Sequence, residues 1–581
     1  MIKQLFRTKK IESILKEGSD DPHEHSLHRV LNVRDLTFFG IAAILGAGSF
    51  SSLGGAVFNG GPGVVLLFII TAIACAFTAL CYSEFASRIP VAGSAYTYAY
   101  ASFGELFAWV IGWALIMEYS IGNIYVAFSW SDYFTSFMNK MGLHIPAWLS
   151  TSYIEAKDGI ATGSINKEVI AAWNTAPFIG SMRFIIDLPA LVINLFITYL
   201  VYRGIKESRN FSNVMVILKM AVVTLVILVG GVLIFSNGLT DNWVPANDEG
   251  VKSFMPNGFS GVMAAVSGVF FAYIGFDAVS VLAEESKNPQ RDLPRGMIYS
   301  LVICTVVYIL LTLVLTGTVH YKKFDGVGDP LAFIFEAQNL NIAWMQILVS
   351  ICAVIAMTSV LLVFQMGQPR IWMSMSRDGL MPPLFQKIHK KFKTPSFATI
   401  VTGLVVGVPI LFTDKTFVLD FTSIATLFAF VLVCGGVLLI PRREKTGGRF
   451  HLPYINGKVW FPAIVFVAVA IVTVYANGYW KELLNFNFSM HEDYTAGKVS
   501  FMDVATPKIT LIIFWLTAVI LSVLSFIKHY SLIPLMGLIT CMYLLTGMTK
   551  NNWAWFLGWL LLGLIFYFIY GFRKSKLNAA A

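Results

Sequence analysis

The chain has 581 residues, of which 56% are hydrophobic and 13% charged, with a mean hydropathy of +0.70. Soluble domains carry roughly 25% charged residues, so this apolar content excludes an ordinary soluble fold and leaves room for no soluble enzymatic module. The net charge of +9 does not point to nucleic acid, because the lysines and arginines cluster in short stretches between apolar blocks, where the orientation rule for membrane proteins expects them.

In chain order, residues 1–30 come first and mix Arg7, Lys9, Lys10 and Lys16 with Glu12, Glu17, Asp20 and Asp21. Without an apolar run or a small-residue cleavage site they do not form a signal peptide. LFRTKKIESILKE is expected as an amphipathic helix on the membrane surface. His23, Glu24, His25 and His28 lack metal-site spacing, so no metal is expected there. The six cysteines (Cys75, Cys81, Cys304, Cys352, Cys434 and Cys541) lie inside apolar stretches and read as small buried hydrophobes.

At about 20 apolar residues per crossing, fourteen helical spans are predicted. They fall near 36–58, 63–86, 100–137, 185–203, 212–236, 259–283, 296–319, 343–372, 397–413, 416–440, 460–478, 508–527, 531–547 and 552–572. With the amino terminus inside, the cytoplasmic loops gather Arg203, Lys206 and Arg209, then Lys287, Arg291 and Arg295. They continue with Arg370, Arg377, Lys387, Lys390, Lys391 and Lys393, and with Arg442, Arg443, Lys445 and Arg449. An even number of spans also places Arg573, Lys574 and Lys576 inside. The expectation is a multi-pass protein of the cell (inner) membrane with both termini cytoplasmic.

Two spans are interrupted. The first, GIAAILGAGSFSSLGG, carries five glycines and Ser49, Ser51 and Ser52; the sixth, SGVFFAYIGFDAVSVLAEE, carries Gly268, Gly275 and Asp277 in its middle. Close helix packing through small residues is one explanation. The pair together fits a five-plus-five inverted repeat, in which broken helices face each other across a central site. Unwinding at Gly46, Ala47, Gly48 and Ser49 would free N–H groups at the positive end of a half-helix, where a carboxylate is attracted. Unwinding at Phe271, Ala272, Tyr273 and Ile274 would free carbonyls that favour an ammonium. One site with both traps matches the head group of an α-amino acid.

Ionisable residues deep in spans are functional candidates. Lys219 lies ten residues beyond Arg209, about 15 Å along a helix, too deep for easy snorkelling. It must pair, meet backbone carbonyls or give up its proton, and a proton-coupling or cation-substituting role is expected. Glu118 in the third span is either a proton carrier or a bridge between helices. Asp277 caps or bridges, while Glu84, Glu284 and Glu285 read as solvated end charges.

These residues resemble the amino acid–polyamine–organocation superfamily, specifically its cationic amino acid transporter branch. The resemblance rests on LFRTKKIES, RDLTFFGIAAILGAGSF, RIPVAGSAYTYAYASFGELFAWVIGW, FFAYIGFDAVSVLAEESKNPQRDLPRGM, and GQPRIWMSMSRDGLMPP followed by TPSFATIVTG. It covers roughly residues 1–440. It implies an all-α LeuT-type fold with spans 1–5 and 6–10 as inverted repeats. The implied organisation is an amino-terminal segment at 1–30, a ten-helix transport core at 31–440, and four further membrane helices with a short tail at 441–581. It also implies that Lys219 stands where sodium-coupled relatives hold an ion, which makes transport proton-coupled. Glu118 looks like the counterpart of the family's acidic residue in the third span, and Phe271 like the aromatic that shields the site on its outer side. Ser49 departs from the family's small-x-Gly-Ile-Phe pattern. Phe364, four residues before Gln368, is placed to face the side-chain pocket, and its bulk favours neutral substrates.

The expected function is secondary active uptake of L-amino acids with protons, across a lipid bilayer, without cofactor, metal or nucleic acid. A small regulatory membrane subunit is left unidentified by the sequence. Exchange of internal for external amino acids and amino acid reception without transport are the alternatives. An intramembrane enzyme is disfavoured, because no paired aspartates, Ser–His arrangement or zinc motif is found.

Overall fold

The computed structural model describes residues 5–9, 11, 14, 31–46, 48–90, 94–162, 167–180, 182–204, 209–247, 250–392, 394–441, 450–476, 478–486 and 500–579. The histidines at 23, 25 and 28 and most of the expected amphipathic helix lie outside these residues.

The chain is built almost wholly from apolar helices. Helix α1 (Val33–Ile44) starts at a capping box: the Asn32 side chain accepts from the N–H groups of Arg34 and Asp35, and Asp35 accepts from the Asn32 N–H. After a break come a π-helical turn at Gly48–Ser52, α2 (Leu53–Gly60) and α3 (Val64–Arg88). The block predicted at 100–137 divides into α4 (Ser94–Ser102) and α5 (Glu105–Lys140). Gly104 makes the division with a φ of +99°, and a Cβ there would lie 2.6 Å from the carbonyl carbon of Phe6. At 36 residues, α5 is roughly 54 Å long, so it must tilt or extend beyond an apolar layer about 30 Å thick.

The connection to the fourth span is more than a short loop. It holds α6 (Tyr153–Thr162), α7 (Lys167–Thr175) and a two-residue antiparallel ladder, β1 (Phe178–Ile179) with β2 (Met182–Arg183). A small separate core of Ala156, Ala172, Ala176 and Ile185 supports it. The Arg183 guanidinium lies 4.9 Å from the Trp173 ring and 4.7 Å from that of Phe178.

Next follow α8 (Leu188–Arg203), α9 (Arg209–Ser236), α10 (Gly258–Ala264), α11 (Val266–Phe271), a 3₁₀ stretch at Asp277–Glu285 and α12 (Pro289–Thr318). The long α13 (Ala343–Arg377), α14 (Ser396–Ile410) and α15 (Lys415–Leu439) complete the region before residue 441. Beyond it lie α16 (Gly457–Tyr475), α17 (Phe501–Lys528), α18 (Leu532–Leu545) and α19 (Lys550–Phe566). Among the described residues nine helical runs are long and apolar enough to cross a membrane, and α8, α14 and α18 are shorter apolar helices. One run, Val33–Arg88, contains the first two predicted crossings. The crossing predicted at 259–283 is absent from the nine because α-helix stops at Phe271 and only 3₁₀ turns follow from Asp277.

Helices α5 and α13 form the central brace, with α15 packed along α5, while α12 packs on α3 and α1. α19 is keyed onto α5 by indoles: Trp109 Nε1 donates to the Gly563 carbonyl at 2.9 Å, and Trp113 Nε1 to that of Trp559 at 2.8 Å. Both ends of the chain reach one face, where Arg7 donates to the Leu577 carbonyl at 2.7 Å, Lys9 pairs with Asp378 at 2.8 Å, and Ser575 donates to Glu105 at 2.6 Å.

Candidate substrate site

The site grows out of the two breaks. α1 ends at Ile44, with the Leu45 N–H closing onto the Ile41 carbonyl at 2.8 Å, and α11 ends at Phe271. The breaks interlock. A Cβ on Gly48 would stand 2.6 Å from the Ala272 Cα, and one on Gly275, which has a φ of +115°, would stand 2.9 Å from the Ala43 Cβ. Side chains lacking at these two positions thus let one interrupted backbone approach the other. Ser52 Oγ, within the first break, reaches the carbonyls of Gly48 at 2.8 Å and Gly268 at 3.0 Å.

A single hydroxyl serves both ends. Tyr308 Oη of α12 lies 2.8 Å from the Ile44 carbonyl oxygen and 2.7 Å from that of Ala272, two acceptors released by the two interruptions. Tyr308→Phe removes this donor and leaves the carbonyls buried. The expected cost is about 1–3 kcal/mol, read as a lower unfolding temperature of the purified protein together with slower uptake; unchanged values of both would show that the hydroxyl is dispensable.

Lys219 of α9 is 1% exposed. Its ammonium donates to Ser359 Oγ of α13 at 2.6 Å and lies 3.5 Å from the Ala42 carbonyl of α1. It therefore bridges the first broken helix and the central brace from a deeply buried position.

Two small cavities lie beside the breaks, each with space for no more than about one water. The first is lined by Glu118, Tyr119, Ile274, Gly275, Asp277, Ala278 and Phe364; the second by Ala43, Ile44, Gly48, Val126, Phe271, Ile274, Val360 and Phe364. Ile274 and Phe364 border both and divide an acidic chamber from an apolar one. Phe364 is held by Tyr119, whose ring centroid is 5.6 Å away in an edge-on arrangement. Phe271 packs edge-on against Tyr125 at 4.5 Å. A second polar layer lies behind: Asn123 donates to Gln365, Gln365 to Thr198 at 2.9 Å, and Gln368 to Ser120 at 2.6 Å.

Of the residues singled out from the sequence, Gly48, Phe271, Ile274, Phe364 and Glu118 line these cavities. Ala272 presents its carbonyl to Tyr308. Tyr273 turns away, donating from its hydroxyl to the Phe68 carbonyl at 3.1 Å. Ser49 donates back to the Gly46 carbonyl at 3.1 Å, and Gly46 packs on Val360. Ala47 lies outside the described residues. Asp277 accepts from the Gly275 N–H at 3.3 Å, so it caps the break as well as facing the acidic chamber. Sequence reasoning missed Tyr308, Ser359, Tyr125 and Val126. Tyr308 is one of two tyrosines within the apolar run 296–319, with Tyr299, and only its place deep in that run could have marked it, whereas Ser359 and Val126 stand out in no way before the fold brings them together.

The amino acid permease family model matches residues 31–491. The chain is 40% identical over 440 residues to the branched-chain amino acid permease BcaP of Bacillus subtilis (strain 168), covering 76% of this chain and 86% of that one. It is 37% identical over 504 residues to the methylthioribose transporter of the same organism, covering 83% and 99%. With human cationic amino acid transporter 4 it shares 29% identity over 609 aligned positions, covering 97% and 90%. These relatives are transporters rather than enzymes, as the sequence indicated. With two interlocked broken helices at its centre and this match across most of its length, the chain belongs to the amino acid permease family of the amino acid–polyamine–organocation superfamily, with cationic amino acid transporters among its relatives.

Proposed function

We propose that this permease takes up amino acids together with protons, and that Lys219 is the coupling residue. The supporting observation is the buried Lys219 ammonium joining Ala42 of the broken first helix to Ser359 of α13. A cation fixed there ties the first broken helix to the frame; loss of its proton would loosen that tie, so that protonation and helix movement are linked. Glu118, across the acidic chamber from Asp277, is the second proposed proton-handling group. The proposed architecture is LeuT-type, with fourteen spans, a five-plus-five inverted repeat within residues 31–440 and four added helices at 441–581. The proposed orientation places both termini in the cytoplasm and the protein in the cell membrane, in keeping with the cations on the terminus-bearing face.

The amino acid head group would lie between the breaks, its carboxylate toward the N–H groups of the first break around Gly48 and its ammonium toward the carbonyls of the second break, once the contacts that close the two breaks in this structure open. The apolar chamber around Val126, Val360 and Phe364 suits a neutral side chain, a reading also supported by the likeness to a branched-chain amino acid permease. Phe364→Ala would merge the two chambers and expose a longer side chain to Glu118. Competition assays should then show inhibition by arginine or lysine rising at least several-fold relative to that by valine or leucine; an unchanged ranking would place selectivity elsewhere.

Proteoliposomes decide the main proposal. Accumulation of labelled amino acid under an inward proton gradient, without internal amino acid, supports symport. Uptake that appears only after preloading supports exchange instead. Binding without either flux identifies a receptor. Because one relative is named for methylthioribose, that compound belongs in the same competition series, and its failure to compete would exclude it as a ligand of this site.

A further inference from the structure

The connection between α13 and α14, PPLFQKIHKKFKT, has no acidic residue; none occurs between Gly379 and Thr413. Its described residues are held by contacts within the segment and with its neighbours. Phe385 stacks on Trp372 at 4.8 Å and meets Phe397 at 5.1 Å, while the Thr394 hydroxyl donates to the Tyr202 carbonyl at 2.9 Å. His389 Nδ1 accepts from the N–H groups of Lys391 and Phe392, each at 3.2 Å. The guanidinium of Arg203, at the end of α8, lies 5.1 Å from the Phe392 ring and 5.8 Å from that of Tyr199.

This scaffold holds Arg203, Lys387, Lys390 and Lys391 exposed. Among the described residues three other cations are matched: Arg88 pairs with Glu84, Arg291 with Asp292 and Lys9 with Asp378. None of those ion pairs includes a cation of this corner. Beside the four cations stand exposed apolar side chains: Tyr199 at 55%, Leu384 at 47%, Ile388 at 38%, Phe397 at 37% and Ile400 at 48%. Exposed cations bordering apolar aliphatic and aromatic groups are complementary to one kind of molecule, a phosphate headgroup with acyl chains.

We propose that the corner between α8 and α14 binds an anionic phospholipid of the surrounding leaflet, its phosphate held by Arg203, Lys387, Lys390 and Lys391 and its chains lying along Tyr199, Phe397 and Ile400. The Asn194 side chain of α8 donates to the Gly403 carbonyl of α14 at 3.1 Å, so both walls of the corner belong to one packed unit. An occupied corner steadies that frame while the broken helices move. The proposal is independent of the transported substrate and of proton coupling.

Native mass spectrometry of the purified full chain, titrated with phosphatidylglycerol and with phosphatidylcholine, tests it. Wild type should retain phosphatidylglycerol preferentially. Lys387→Gln, Lys390→Gln and Lys391→Gln combined should weaken retention by roughly fivefold for each charge removed, while the corresponding arginine triple variant keeps it. In proteoliposomes, adding phosphatidylglycerol to phosphatidylcholine should raise uptake by wild type and by the arginine variant, but not by the glutamine variant. Equal retention and equal stimulation of all three proteins would overturn the proposal. Should the glutamine triple variant fail to insert, Arg203→Gln alone provides the same comparison.

Discussion

Lys219→Ala is expected to abolish gradient-driven accumulation, leaving internal substrate no higher than external. For one-for-one symport each pH unit of gradient supports about tenfold accumulation, so the whole of that factor is at stake. The deletion removes the cation that joins Ser359 to the Ala42 carbonyl, leaving buried polar groups whose loss of a partner itself costs about 1–3 kcal/mol. Lys219→Arg separates the two effects. Arginine keeps the charge but does not surrender its proton in proteins, so a folded, substrate-binding Lys219→Arg protein should also fail to accumulate. Normal accumulation by that variant, measured as labelled amino acid retained in proteoliposomes under an inward proton gradient, would reduce Lys219 to a structural strut.

Gly48→Ala carries the second large effect. The added methyl would sit 2.6 Å from the Cα of Ala272, and because both positions belong to tightly held backbone, neither side can swing away. Overpacking of this kind costs about 1–3 kcal/mol, directed against the closed arrangement in which the breaks touch. If transport passes through that arrangement, uptake should fall about tenfold or more, given that 1.4 kcal/mol corresponds to a factor of ten. Gly55→Ala is the control, since nothing lies within 4 Å of its added carbon, and it should transport like wild type. Similar uptake by the Gly48 and Gly55 variants would mean that the close contact of the two breaks plays no part in the cycle.

Much of this was legible before any coordinates, for identifiable reasons. A bilayer forces every crossing to show a long apolar run, so the helices at 343–377 and 415–439 were readable nearly to their ends. The glycine-rich stretch around Gly46 and Gly48 marked the first break because regular helix gains nothing from such residues. What escaped the reading depends on three-dimensional juxtaposition. Gly104 looked like one more small residue of a membrane helix, yet its φ of +99° divides α4 from α5. Lys219 was conspicuous as a buried charge, but its partner Ser359 is one of many serines, chosen by the packing of α9 against α13. Tyr273 was grouped with its neighbours although the irregular backbone after Phe271 turns its side chain toward Phe68. The helices α6 and α7 and the β1–β2 ladder were missed because the core beside them consists of three alanines and one isoleucine, too faint a pattern to recognise in a chain this apolar.

The most direct measurement is proton movement itself, followed with a pH-sensitive dye trapped in proteoliposomes while substrate is added outside. Coupling through Lys219 requires that addition of a transported amino acid acidify the lumen for wild type and leave it unchanged for Lys219→Ala. Substrate accumulation by wild type without any luminal acidification would contradict it.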